Sequence, residues 1–359
     1  MKRNMWSWAA GLGLPVVLMG LFRLLKHDRS LMERWVFGVV APVEQRLGRL
    51  WSMVSFSVAE VLAAAALLGG LFWLLRALVC LVVQRRLRPF VRRVLALGAV
   101  CLWLLAGLDW LWNAAYYTQG VADRAGLAVQ PYTVEELEAV TGEFARRAFQ
   151  LASRVPRDEQ GQFAVSADEC LRRGMQAYHA LEEEFPFLKL EGVRAKPLVC
   201  SGLQSALGFT GIYFPFTGEA NVNVDAPTCL LPATIAHEMA HQRMVAAEEE
   251  ANFVGIAACV TSEDEVFQYS GYLMGLIHLS NALYRVDPQG WAALRAEFSP
   301  QLVRDWQDNN DYWAARRSFV EKTAEQVYDS FLKGNDQSLG TRSYGACVDL
   351  LVTWLNAHR

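Results

Sequence analysis

The sequence predicts a mainly α-helical protein with a small β-sheet, an α+β domain preceded by three transmembrane helices. Three observations carry this. Of 359 residues 53% are apolar and 20% charged, and three long apolar stretches all fall within the first 120. Beyond Gly120 the apolar residues recur at helical spacing almost throughout. Only the segment 196–224 differs, with Gly, Pro, Asn and Thr punctuating short β-prone runs. A balance of 34 basic to 37 acidic side chains gives a net charge of -3, without the basic footprint of a general nucleic-acid binder. The many Trp, Phe and Leu residues and the lack of a sustained repeat exclude disorder, collagen and coiled coil.

The anchor is read as residues 1–118, with spans at about 4–24, 60–84 and 94–116. Asn4 to Phe22 carries no charge and is flanked by Lys2, Arg3, Arg23 and Lys26, and no small-x-small cleavage site follows it. A retained helix is therefore expected rather than a cleaved signal. Arg76 and Asp109 interrupt the second and third spans off-centre, where each can snorkel or face a neighbouring helix. Arg85, Arg86, Arg88, Arg92 and Arg93 crowd the short loop between those spans, which predicts that loop inside. The N-terminus is then cytoplasmic, and residues 119–359 form an extracytoplasmic domain.

In that domain Val134 to Arg154 reads as a helix with Leu137, Val140, Phe144, Ala148 and Leu151 on one face, entered through a Thr133/Glu136 capping box. Ala167 to Glu184 reads as a second helix, with Leu171, Met175, Tyr178 and Leu181 on one face and Pro186 ending it. The helical pattern returns after Pro232 and runs to Leu355, with breaks near Asp287 and Gly334. Cys170, Cys200, Cys229, Cys259 and Cys347 match no zinc ribbon or disulfide scaffold and are expected to be mostly buried free thiols.

The sharpest signal is His237-Glu238-Met239-Ala240-His241, an H-E-x-x-H pattern on a helix. Spacing i, i+4 puts both imidazoles on one face about a turn apart, so that two ring nitrogens can reach one Zn2+. Glu238 then stands beside the metal as a general base. A catalytic zinc needs a third protein ligand. In an unbroken helix Glu248 would lie about 10 Å further along the axis, so the chain must turn between Gln242 and Ala247. Glu248 can then return to the metal, with Ala251 allowing close helix approach and Asn252 as a supporting hydrogen-bond donor. Glu250 is the competing ligand; the acidic triplet also reads as a solvated helix start.

The strings Gly211-Ile-Tyr-Phe-Pro-Phe-Thr-Gly-Glu-Ala-Asn-Val-Asn, His237-Glu-Met-Ala-His-Gln-Arg, Glu248-x-Glu-Ala-Asn-Phe, Phe267-Gln-Tyr-Ser-Gly-Tyr-Leu, Tyr328-Asp-Ser-Phe-Leu-Lys and Ser343-Tyr-Gly resemble the bacterial domain-of-unknown-function 3810 family. Its members are membrane proteins regarded as zinc metallopeptidases. Glu248-x-x-Ala251-Asn252 also resembles the third-ligand motif of gluzincin peptidases, which supports Glu248 over Glu250. The resemblance implies a zincin-like catalytic domain. It also leads one to expect Gly after His241-Gln-Arg; with Met244 there, the bend is expected to need another conformation.

The strand Gly218 to Asn223 precedes the metal helix as a substrate-aligning edge strand does in many zincins, so Asn221 and Asn223 are candidate substrate-binding residues; an ordinary polar strand is the alternative. Tyr269, Tyr272 and Tyr344 are candidate oxyanion donors. His179 and His278 read as packing or surface residues. The expectation is a membrane-anchored zinc peptidase in the bacterial cell membrane, with His237, His241 and Glu248 on Zn2+ and Glu238 as base. Its partners would be the bilayer and a peptide or protein substrate, and not nucleic acid. The alternatives are a non-catalytic zinc-stabilised binding domain on a membrane anchor and a structural membrane subunit without metal.

Overall fold

The computed structural model describes residues 9–337 and 344–358 and divides into two compact units. The first comprises residues 1–44, 58–118 and 215–217, and the second 45–57, 119–214 and 218–359.

In the first unit, α1 (Leu14–Leu25), α2 (Val58–Val82) and α3 (Leu87–Leu111) are the apolar helices. Among the described residues α2, and α3 continued through the tight turn Asn113–Tyr117, are long and apolar enough to cross a membrane. Leu67, Leu68, Phe72 and Val82 stand exposed on α2, as lipid-facing side chains do where only backbone polar groups need internal partners. The first expected span, 4–24, differs. Pro15 lies in the first turn of α1, whose 12 residues rise about 18 Å, short of a bilayer core of about 30 Å. A π-turn, Ala9–Gly13, precedes it, and residues 4–8 lie outside those described. α1 is tied to α3 by Trp110 Nε1 donating to Leu18 O at 3.0 Å.

The second unit is mostly helical. α4 (Val134–Ala152) opens with the expected capping box at Thr133 and Glu136, buries Leu137, Val140, Phe144, Ala148 and Leu151, and lies along α7 (Glu265–Val286). The second expected helix is broken: Ala167–Arg173 and His179–Glu184 are α-helical, but Gly174–Tyr178 tightens to a 3-10 turn. The tightening rotates Met175 to solvent while Tyr178 and Leu181 stay buried. Cys170, Cys229, Cys259 and Cys347 are buried free thiols, and Cys200 is an exposed one.

The sheet has three strands, β1 (Lys196–Pro197), β2 (Gly211–Phe214) and β3 (Glu219–Val222), in the order β1-β3-β2. β3 pairs parallel with β1 and antiparallel with β2. The strand expected at an edge is therefore the central one, buried on both faces, and β2 is the edge beside it.

Residues 45–57 also join this unit, where the sequence reading began the domain at 119. The buried Lys196 explains their place: its Nζ pairs with Glu219 Oε1 at 2.6 Å and donates to the carbonyls of Trp51 at 2.6 Å and Phe56 at 3.0 Å. A fully buried ammonium is tolerated only with such complete pairing.

Candidate metal centre

The H-E-x-x-H residues lie on α5 (Leu231–Gln242), a helix buried along its whole length with Pro232 in its first turn. It stops where the sequence requires a turn. Met244 takes a left-handed conformation, φ 61. Its N–H donates to His241 O at 3.0 Å, and the Val245 N–H donates to Ala240 O at 3.2 Å. These two bonds make a Schellman cap, normally closed by glycine. The bend thus needs no other conformation: Met244 adopts the glycine-like one itself. Burial of its side chain, 3% exposed, offsets the left-handed cost of about 1–2 kcal/mol. The neighbouring Arg243 guanidinium donates to the carbonyls of Met239 and Leu188, pairs with Glu182 at 2.7 Å and lies 3.6 Å over the Tyr178 ring.

The turn returns the chain as α6 (Glu248–Thr261), with three acidic residues in its first turn, where the helix dipole favours them. Two small residues on α6 let it lie against α5: Ala251 is fully buried, and one turn on, a Cβ at Gly255 would fall 2.8 Å from the His237 backbone nitrogen. The sequence points to Ala251 as a close-approach residue; Gly255 is a second one.

His237, His241 and Glu248 converge, with one ligand atom from each within 4.8 Å of the others. His237 Nε2 is 3.4 Å and His241 Nε2 3.7 Å from the Glu248 carboxylate. The opposite nitrogen of His241, Nδ1, is 2.7 Å from Val245 O, which fixes that nitrogen as the protonated one and turns Nε2 toward the cluster. His237 Nδ1 is buried with no hydrogen-bond partner among the described residues, so the expected support from Asn252 is not in place. Glu250 does not compete: its carboxylate accepts from the Val121 N–H at 2.8 Å, at the start of the helix Val121–Ala125.

Glu238 points elsewhere. A Cβ on Gly211, the first residue of β2, would fall 2.4 Å from Glu238 Oε1, so a residue without a side chain holds the space for this carboxylate. Oε2 of Glu238 is buried with no hydrogen-bond partner among the described residues. Burial pushes its carboxyl up to about 8, against the opposing field of His237. Burial pulls His241 down to about 4. Burial also lowers His237, but its hydrogen bond and charge interaction with Glu248 leave it above the ordinary value. Burial alone would raise Glu248; the bond to His237, the two imidazoles and Tyr328 hold it down at about 2. The donor set of two imidazole nitrogens and a carboxylate, beside a carboxyl tuned toward neutrality, fits a catalytic zinc.

Tyr328, on α9 (Phe319–Gly334), donates its hydroxyl to Glu248. It was not among the tyrosines singled out from the sequence, and helical periodicity gives no sign of it. Of those that were, Tyr269 donates to Asp305 in a buried network with Arg157, and Tyr272 packs edge-on against Phe144. Tyr344 begins α10 (Tyr344–Ala357), and its side chain lies outside the described residues. His278 is buried, as expected of a packing residue.

Asn221 and Asn223 both hydrogen-bond within and beside the sheet. Asn221 is fully buried on the central strand and donates to Glu219 O at 3.1 Å. Asn223 donates to Ser205 Oγ and Phe209 O while accepting from the Asp225 N–H. A central strand has no free ladder to offer; the edges of this sheet are β1 and β2.

Comparison with known protein families matches residues 37–352 to one described as "Protein of unknown function (DUF3810)". No curated protein and no solved structure matches the chain.

Proposed function

The chain belongs to the DUF3810 family, and from that premise we propose that it is a membrane-anchored, zinc-dependent peptidase with a zincin-like catalytic domain. The observation that carries the reading is the convergence of His237, His241 and Glu248 next to a buried carboxyl, Glu238, whose Oε2 has no hydrogen-bond partner among the described residues.

When bound, zinc would supply Lewis acidity, drawing electron density from a peptide carbonyl and acidifying water. The protein's own groups do the rest. His237 Nε2, His241 Nε2 and Glu248 would hold the ion, and Val245 O holds the His241 imidazole in place. Glu238 takes the proton from the attacking water and delivers it to the leaving amine, a shuttle suited to a carboxyl raised toward neutral pH. β2 is the exposed edge nearest that carboxylate through Gly211, so a peptide added alongside it would bring its carbonyl to Glu238.

The second reading is a zinc-stabilised binding domain without catalysis. A structural zinc is enclosed by four protein ligands and has no use for a base; the three-ligand cluster and Glu238 therefore favour the peptidase.

We place the second unit outside a bacterial membrane. Residues 45–57 and 119–214 belong to one compact unit, so an even number of crossings separates them, and α2 and α3 are two. The arginine-rich connection between α2 and α3 favours the cytoplasmic side. The apolar run from residue 4 to Leu25 would add the first crossing.

The test is hydrolysis of a diverse peptide mixture by full-length protein in detergent, with products read by mass spectrometry. Cleavage lost in Glu238→Gln supports the peptidase; no cleavage by zinc-loaded wild type, or equal cleavage by the variant, refutes it.

A further inference from the structure

A cavity of about 310 Å³ opens beside the metal centre within the second unit. Thr234, three residues before His237 on α5, and Asn252, on the packed helix α6, both line it, so its inner end adjoins the first ligand. Its far wall comes from α7 and from α8 (Pro300–Ala314).

The lining is polar without being charged. Among the described residues no Asp, Glu, Lys or Arg contributes to it, yet four asparagines do. Two stand at the inner end: Asn223, which donates to Ser205 Oγ and Phe209 O, and Asn252 on α6. The other two retain hydrogen-bonding capacity. Asn309 accepts from Trp313 Nε1 at 3.2 Å through its oxygen, which leaves its amide N–H groups toward the cavity. Asn281 makes no side-chain hydrogen bond among the described residues and offers both a donor and an acceptor. Met274, Ile277 and Trp313 supply apolar wall between them.

We propose that this cavity is a specificity pocket that takes a carboxamide side chain, glutamine or asparagine, from the substrate residue next to the scissile bond. The inference rests on the peptidase reading and deepens it. A carboxamide presents one acceptor and two donors, which matches the donors of Asn309 and the donor and acceptor of Asn281. The methylenes of glutamine fit the Met274 and Ile277 wall. A carboxylate or ammonium of the same size would lose its water with no counter-charge in the lining, and a leucine would gain no hydrogen bond from Asn309 or from Asn281 at the exposed mouth.

The test uses full-length protein in detergent and a set of alanine-rich heptapeptides carrying Gln, Asn, Glu, Lys or Leu at each position in turn. Cleavage is mapped by mass spectrometry, and saturation binding of the same peptides, fluorescently labelled, is measured on Glu238→Gln. Gln and Asn peptides should be preferred by roughly tenfold or more over Glu, Lys and Leu, about what one or two hydrogen bonds provide. Asn281→Leu should erase that preference, and Asn281→Asp, nearly isosteric, should shift it toward Lys. Cleavage without carboxamide preference, or with a preference both Asn281 variants retain, overturns the pocket and leaves the peptidase standing. Carboxamide-selective binding without cleavage, lost in the Asn281→Leu, Glu238→Gln double variant, leaves the pocket standing and refutes the peptidase. Neither cleavage nor selective binding overturns both.

Discussion

Val245 O sits 2.7 Å from Nδ1 of His241, four residues earlier. One turn therefore does two things: it carries the chain back so that Glu248 meets the histidines, and its carbonyl sets which nitrogen of His241 faces them. The left-handed residue that closes this turn, Met244, is the hinge of the account.

Met244→Gly should keep the site. It relieves about 1–2 kcal/mol of left-handed cost and forfeits about 2 kcal/mol of burial, so stability should fall by about 1 kcal/mol or less, with zinc affinity retained. Met244→Val, β-branched and poorly suited to positive φ, should cost about 2 kcal/mol or more and weaken zinc. Chemical denaturation beside chelator competition reads both, and zinc binding unchanged in the valine variant would contradict the role of the turn.

Gly211→Ala should abolish hydrolysis while leaving zinc in place. The added methyl would occupy the space of the Glu238 carboxylate, the proposed base, and not that of the proposed ligands. A loss of about a hundredfold or more in kcat/KM is the scale of a misplaced proton-transfer group. Elemental analysis alongside a thermal melt separates this from unfolding, and full activity would show that Glu238 does not need its present position.

Tyr328→Phe removes the hydroxyl that donates to Glu248. Supporting hydrogen bonds to metal ligands are worth about 10- to 100-fold in affinity, and chelator competition should show a loss at the lower end of that range. An unaltered zinc affinity would make Tyr328 a packing residue only.

Stability should depend on pH through Glu250. Burial raises its carboxyl from 4.5 to about 7, with the Val121 N–H opposing. The folded state thus holds this proton more tightly than the unfolded chain, so its contribution is fully present below pH 4.5 and is lost as pH rises through 7. Glu250→Gln, which keeps an acceptor for Val121, should therefore raise Tm at pH 8 and leave it nearly unchanged at pH 4.5. A pH-independent difference between the two proteins would contradict this.

Cys200 is exposed, whereas the other four cysteines of the second unit are buried. An outward-facing domain predicts labelling of intact cells by a membrane-impermeant maleimide, lost in Cys200→Ser. Labelling only after lysis would reverse the proposed orientation.

The site was legible in the sequence to the extent that it is local. Five consecutive residues specify two imidazoles on one helical face with a carboxylate beside them, and 1.5 Å per residue already requires a turn before a third ligand at Glu248. The capping box at Thr133 is local in the same way. What escaped depends on distant partners. Asn221 and Asn223 look like exposed strand polars until β1 and β2 are seen flanking their strand. Tyr328 lies 80 residues from Glu248 and reads as one more amphipathic aromatic. Residues 45–57 join the second unit through a lysine at position 196, a pairing that no periodicity records.

Zinc content tests the central claim most directly. Because residues 45–57 belong to the second unit, the measurement belongs on the full-length chain: elemental analysis of wild type beside His241→Ala and Glu238→Gln. The account predicts about one zinc per chain in the wild type and in Glu238→Gln and little in His241→Ala, since two histidines and Glu248 hold the ion and Glu238 does not. Well-folded wild type that takes up no zinc when the metal is supplied, or a histidine variant that retains it, would contradict the account.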